Sequence, residues 1–166
     1  MERFEFRDVL PDETEQAIAI EQVCFPPNEA CSPQSMRERI MAAPELFLVA
    51  VDRECGKIAG FFNGIATGEE AFRDEFFTDI QLLEPDGGNV MLLGLDVLPK
   101  YRGRDLARAL VETYARRERK RGRKRLVLTC LPEKVKMYEK LGFVDLGIAN
   151  SAWGGEVWHE MAYALD

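Results

Sequence analysis

The run NVMLLGLDVL, residues 89–98, leads directly into PKYRGRDLARALVETYARRERK, and this junction constrains the fold more than any other part of the chain. A mostly apolar run of that length reads as a central strand buried on both faces. Pro99 and Gly103 then break the chain, and a helix follows from about Asp105 to Lys120. RLVLTC, residues 125–130, is the next strand, so strand, helix and strand imply a right-handed parallel crossover.

The flanking segments fit around that unit. ERFEFR alternates like a first strand, and PDETEQAIAIEQVC has the 3.6-residue spacing of an amphipathic helix. FPPNEACS interrupts it; Ser32 as cap and Pro33 at the first helical position start a second helix that runs to about Ala42. LFLVAVDRECGKIAGFFNG gives two strands around a turn at Glu54–Lys57, and residues 68–88 form a surface loop holding a short helix. After the crossover, PEKVKMYEKL is a helix, and FVDLGIAN and GEVWHEMAYAL close the fold as a hairpin. The expectation is an α/β chain with a mixed sheet of about seven strands and about four helices. It is read as one domain over residues 1–166, since a chain of that size buries roughly 70% of its unfolded surface.

Several classes are set aside. No apolar run approaches the ~20 residues of a bilayer span, and MERFEFRDVL carries acidic residues where a secretory signal has basic and then apolar ones. The chain is therefore read as cytoplasmic, without a membrane partner. Cys24, Cys31, Cys55 and Cys130 form no C-x-x-C pair and His159 is the only histidine, so neither a metal site nor a disulfide framework is expected. Monomer and weak homodimer are both compatible with the sequence.

Charge is unevenly placed. The net charge is −7, yet 12 of the 22 Lys and Arg lie between Lys100 and Arg125 against only three acidic residues there. One basic helix on an acidic body points to a local anionic ligand, whereas nucleic acid calls for a broad basic face. The free N–H groups of residues 103–108 stand at a helix amino terminus, where the dipole favours an anion such as phosphate. Gly103 admits a close approach, and Arg102, Arg104 and Arg108 add charge around it.

RGRDLA, with Arg102 and Ala107 at its outer positions, and YEKLGF, residues 138–143, resemble two motifs of the GNAT superfamily of acetyl-CoA-dependent N-acetyltransferases. The resemblance covers nearly the whole chain and is nearest in layout to the serotonin, or arylalkylamine, N-acetyltransferases. It implies acetyl-CoA as co-substrate, with backbone groups of Leu95 and Val97 beside its pantetheine arm. Its pyrophosphate falls to the turn Arg102, Gly103, Arg104, Asp105, Leu106, Ala107 and Arg108. Tyr138 is then the acid that protonates the departing thiolate. A loop around Phe25, Pro26 and Glu29 closes over an amine pocket.

Three departures matter. Asp105 stands where the motif has its central glycine, and a carboxylate about 5 Å from a phosphate costs about 3 kcal/mol at an effective dielectric of about 20. The expectation is that its side chain caps the helix inside a ring of arginines. The resemblance also implies two histidines on the central strand, and Met91 and Leu93 stand there instead. An amine of pKa near 10.4 is neutral about once in 2,500 molecules at pH 7, a penalty of roughly 4.6 kcal/mol, so Asp96 or Glu29 is the expected base. A strand-end pairing of Asp96 with Arg102 or Arg104 is the alternative. Leu131 replaces an asparagine that touches the cofactor in many relatives, and Cys130, lacking a histidine neighbour, is a poor acyl acceptor.

The reaction expected is transfer of acetyl to a small primary amine, arylalkylamine being favoured by Phe25, Phe72, Phe76 and Phe77. Polyamines, a lysine or N-terminal peptide amine, and a non-catalytic acetyl-CoA sensor are the alternatives.

Overall fold

The computed structural model describes residues 2–166. Strands β1 (Phe4–Asp8), β2 (Phe47–Asp52), β3 (Lys57–Thr67), β4 (Asn89–Val97), β5 (Arg125–Cys130), β6 (Val144–Ile148) and β7 (His159–Ala164) form one sheet in the order β1-β2-β3-β4-β5-β7-β6. Only β4 and β5 run parallel; every other neighbouring pair is antiparallel. Helices α1 (Thr14–Cys24), α2 (Pro33–Ala42), α3 (Leu106–Lys120) and α4 (Val135–Lys140) complete the fold. The mixed seven-stranded α/β architecture expected from the sequence is therefore present.

Each face of the sheet carries its own core. Ala17 and Ile18 of α1 and Met36 and Ile40 of α2 pack on Val49, Phe61 and Met91 on one side. Leu110, Val111 and Tyr114 of α3 pack on Leu48, Phe62 and Leu92 on the other. Ser32 caps α2 as expected, its hydroxyl accepting from the Ser35 N–H at 3.1 Å. The 68–88 loop contains two short 3-10 turns, Asp74–Phe77 and Ile80–Leu82, where one short helix is expected. Phe72 and Phe76 of that loop belong to the core, anchoring it to the sheet.

The functional geometry begins with one irregularity. Asn63 opposes Gly94 while Gly64 opposes Leu92, so Leu93 is an extra residue, a bulge that bends β4. β4 pairs with β5 only over Asn89–Met91 and Arg125–Val127, after which the two strands diverge. β5 continues to Cys130 against β7, so the second half of β4 is left with an open edge.

Candidate active site

The divergence of β4 from β5 opens a cleft of about 760 Å³. Its walls come from Leu92–Leu95 and Val97, from Leu128–Leu131, from Tyr138 and Leu141, and from the turn into α3. Backbone polarity along β4 follows from the ladder. Leu98 N–H donates to the Ala59 carbonyl at 2.9 Å, and hydrogen-bonded pairs alternate in an antiparallel ladder. The peptide groups of Leu95 and Val97 accordingly turn away from β3, toward the cleft. The Val97 carbonyl shows this directly: it accepts from Arg102 Nε at 3.0 Å and from Cys24 Sγ at 3.5 Å.

Arg102, Gly103, Asp105, Leu106, Ala107 and Arg108 border the same cleft. Arg104 is not among the residues that border it; its guanidinium lies over the Tyr101 ring, 6.0 Å from the centroid. Gly103, at φ +77°, has open space where a side chain would be, so the backbone is accessible there. Asp105 is the residue before α3, but its side chain makes no capping hydrogen bond. Capping requires an extended residue, and Asp105 sits in the left-handed region at φ 59°, ψ 18°, the conformation a glycine adopts most easily. The expected cap is thus absent.

Tyr138 lies half-buried at the inner end of the cleft, edge-on to Phe143 with centroids 5.6 Å apart. Its carbonyl receives the N–H groups of Leu141 and Phe143, both at 3.0 Å, and Gly142 at φ 110° completes the turn. A side chain at Gly142 would strike the Tyr163 ring at 2.7 Å, which explains the glycine in YEKLGF. Burial, reinforced by Cys130 and Asp96, holds the Tyr138 hydroxyl well above the ordinary tyrosine range, so it is protonated at neutral pH. Burial likewise pushes the Cys130 thiol up to about 12, with Asp145 and Glu133 adding to the effect. A thiol held protonated in this way is a poor nucleophile. His159 pairs with Asp145 across β6 and β7 at 3.0 Å and does not border the cleft.

Another part of the lining is aromatic and carries Glu29 and Lys134 as its charged side chains. Phe25, Pro26 and Glu29 line it, joined by Phe77, Trp153 and Trp158. Trp153 stacks on Phe77 with centroids 4.5 Å apart, and its Nε1 donates to the Glu29 carbonyl at 2.9 Å. Asn28 Nδ2 donates to the Gly154 carbonyl at 3.1 Å, tying the loop after α1 to the loop before β7. Burial and the nearby Glu156 and Glu133 raise the Glu29 carboxyl above the ordinary range.

Asp96 is fully buried and does not itself line the cleft. Neither of its oxygens has a hydrogen-bond partner, so the expected pairing with Arg102 or Arg104 is not formed. Sequence reasoning missed what stands beside it: Glu21 of α1, also buried, with one unpartnered oxygen, Oε1. The available signal was a glutamate on the apolar stripe that carries Ala17 and Ile18. Trp153 was missed because a loop aromatic has no periodicity to place it, and Trp158 because it was read as part of the last strand, which begins only at His159.

The family profile described as Acetyltransferase (GNAT) family matches residues 14–143. The chain belongs to that family, a class of acetyl-CoA-dependent N-acetyltransferases. No curated protein matches the chain significantly in sequence. Among solved structures, the loading GNATL domain of CurA from Lyngbya majuscula superposes with a TM-score of 0.86 at 14% identity, covering 98% of each chain. A GNAT-like decarboxylase, GphF, in complex with isobutyryl-CoA gives 0.82 at 20% identity, covering 98% of this chain and 100% of the other. The ribosomal-protein-S18-alanine N-acetyltransferase from Escherichia coli gives 0.72 at 20% identity, over 98% and 94%. Identities this low speak for the shared fold alone. Among the described residues no cluster suited to a metal ion occurs, and no helix is long and apolar enough to cross a membrane.

Proposed function

We propose that the protein transfers acetyl from acetyl-CoA to a small primary amine of arylalkyl type, by direct attack in a ternary complex. The observation that carries this reading is a single cleft whose lining combines two kinds of group. One kind is the outward backbone groups on β4, the N–H groups at the start of α3 and a protonated tyrosine. The other is the aromatic cluster of Phe25, Phe77 and Trp153 with Pro26 and Glu29.

In this reading Leu95 and Val97 take the pantetheine amides by strand-like hydrogen bonds. The Arg102 side chain, now on the Val97 carbonyl, must release that oxygen. The N–H groups of residues 103–108 take the pyrophosphate, helped by the dipole of α3 and by Arg102 and Arg108. The amine nitrogen attacks the acetyl carbonyl carbon, the carbon–sulfur bond breaks, and the Tyr138 hydroxyl protonates the departing thiolate. Water returns the proton to Tyr138. The high pKa of Cys130 supports a route without an acyl-enzyme.

The acidic surroundings of the pocket favour a cationic acceptor, and its aromatic walls favour an aryl over a polyamine chain. The arylalkylamine assignment rests on those walls.

The deciding experiment is acetyl-CoA-dependent thiol release at pH 7 and pH 9 across phenethylamine, tryptamine, an aniline, spermidine and a lysine peptide. Turnover concentrated on phenethylamine and tryptamine is the expected result. Preference for spermidine or the peptide overturns the substrate class. Acetyl-CoA binding without turnover of any amine overturns the enzyme reading in favour of a sensor.

A further inference from the structure

Gly94 marks a point where three buried polar groups converge. A methyl placed on it would stand 2.9 Å from Asp96 Oδ1, 3.4 Å from Asn63 Nδ2 and 3.5 Å from Glu21 Oε1. Glu21 and Gly94 both line the cleft, and Asp96 lies directly behind them. Of the four carboxyl oxygens of this pair, only Glu21 Oε2 has a donor, the Cys31 N–H at 2.9 Å.

Two carboxylates buried together with a single donor between them are too costly to ionise at once. Burial and the Glu21 carboxylate raise Asp96 well above the ordinary carboxyl range. One proton shared between them satisfies two of the three free oxygens. The third oxygen, and the second lone pair of Glu21 Oε1, have no donor among the described residues.

We infer that Glu21 and Asp96 form the ammonium-binding, proton-accepting pair of this cleft, with Glu21 Oε1 the atom that touches the substrate nitrogen. The inference rests on the proposed amine acetylation and names the base that Met91 and Leu93 do not supply. The substrate class it selects is a primary alkylammonium ion, which brings both a positive charge and N–H donors to a site short of both.

The proton balance is as follows. The resting pair holds one proton and one negative charge. The bound ammonium gives one proton to the pair, which becomes neutral, and the freed nitrogen lone pair attacks the acetyl carbon. When the carbon–sulfur bond breaks, Tyr138 protonates sulfur; the second nitrogen proton leaves through water, and the pair returns its own to solvent after the amide departs. The other groups facing the pair are Cys24 of α1, Cys31, Tyr138 of α4, and Arg39 of α2. Arg39 is spent elsewhere, on the Phe77 carbonyl at 2.8 Å and on Asn63 Oδ1 at 3.3 Å. The cysteine thiols are held protonated by burial and compete for no charge.

The test compares the unmodified protein with Glu21→Gln and Asp96→Asn on two acceptors. Tryptamine is charged at pH 7, whereas an aromatic amine is already neutral there. Glu21→Gln is expected to lower kcat/KM for tryptamine by about 10²–10³ at pH 7, by less at pH 9, and for the aromatic amine only a few-fold. Acetyl-CoA affinity stays unchanged. Equal losses on both acceptors, or none on tryptamine, overturn the inference.

A second arm needs no turnover. Carboxyl ¹³C NMR is expected to show one protonated side-chain carboxyl at neutral pH that disappears in Asp96→Asn; its absence from the unmodified protein overturns the shared proton. Should no amine be acetylated, the enzyme reading fails by itself, and calorimetric binding of phenethylammonium then judges the pair. Weaker binding to Glu21→Gln sustains the ammonium site, and equal binding removes it.

Discussion

The Trp153 indole lies flat on Phe77 at 4.5 Å while its Nε1 holds the Glu29 carbonyl at 2.9 Å, so one side chain joins the loop before β7, the 68–88 loop and the loop after α1. This clasp forms the aromatic part of the cleft lining. Trp153→Ala therefore removes a wall and frees the loop that carries Phe25 and Glu29. Steady-state kinetics should show KM for an arylalkylamine raised about ten-fold, with KM for acetyl-CoA unchanged, as expected for roughly 1.4 kcal/mol of lost contact. Equal effects on both substrates would place the damage in the fold as a whole.

Tyr138→Phe keeps the ring against Phe143 and removes only the hydroxyl. If that hydroxyl is the acid, kcat should fall by about 10²–10⁴ while acetyl-CoA affinity stays constant by calorimetry. Its pKa is raised by burial and by Cys130 and Asp96, so the acid form persists as pH rises. With an aromatic amine, already neutral at pH 7, the rate should show no fall from tyrosine ionisation near pH 10. A descending limb at or below that pH would remove Tyr138 from the role.

Cys130 borders the cleft near Tyr138 and is the obvious suspect for a covalent route. Its thiol, held at about 12 by burial and carboxylate neighbours, is almost wholly protonated at neutral pH. Cys130→Ala should retain activity within a few-fold, and intact-protein mass spectrometry after acetyl-CoA alone should find no acetylated thiol. Loss of activity with an acetyl adduct on the unmodified protein would replace direct attack by a two-step mechanism.

Asp52, the last residue of β2, ties the amino terminus to the turn before α3. It receives Arg3 Nη2 at 2.9 Å and the Tyr101 hydroxyl at 2.5 Å, and Arg3, then Tyr101, hold its carboxyl well below the ordinary range. A depressed folded-state pKa stabilises above the unfolded value of about 3.9 and loses that contribution as pH falls through the folded value. Asp52→Asn should therefore melt lower than the unmodified protein at pH 7, and the gap should narrow only below about pH 4. A gap that is constant down to pH 2 would show that charge plays no part.

The architecture was legible because period and punctuation agree along most of the chain. The apolar run of β4, the breaks at Pro99 and Gly103 and the amphipathic α3 leave few other ways to fold. The site was legible where a motif fixes backbone geometry, as at the α3 turn and at Gly142. Glu21 was not: a charged side chain on a buried stripe looks like a flaw in the periodicity until the sheet brings Asp96 to it. The direction of the Arg104 side chain, over Tyr101, was not legible either, because spacing gives a residue's position in a turn and not where its side chain lies.

Asp105 joins these two levels, since its backbone takes a glycine's conformation while its side chain keeps a charge that glycine lacks. The left-handed φ of 59° is tolerated by aspartate at some cost, and no capping bond offsets it. Asp105→Gly relieves that strain but loosens the unfolded chain, and the two should cancel to within about 1 kcal/mol in thermal or denaturant unfolding. In the proposed role of this turn the substitution also removes a negative charge beside the pyrophosphate. Acetyl-CoA should then bind about three- to ten-fold more tightly, by less at high salt because the site is exposed. Asp105→Asn separates the two contributions, as asparagine keeps the left-handed conformation and loses only the charge. Matching gains in Asn and Gly would assign the effect to electrostatics, a gain in Gly alone would assign it to the backbone, and no gain in either would direct the carboxylate away from the phosphates.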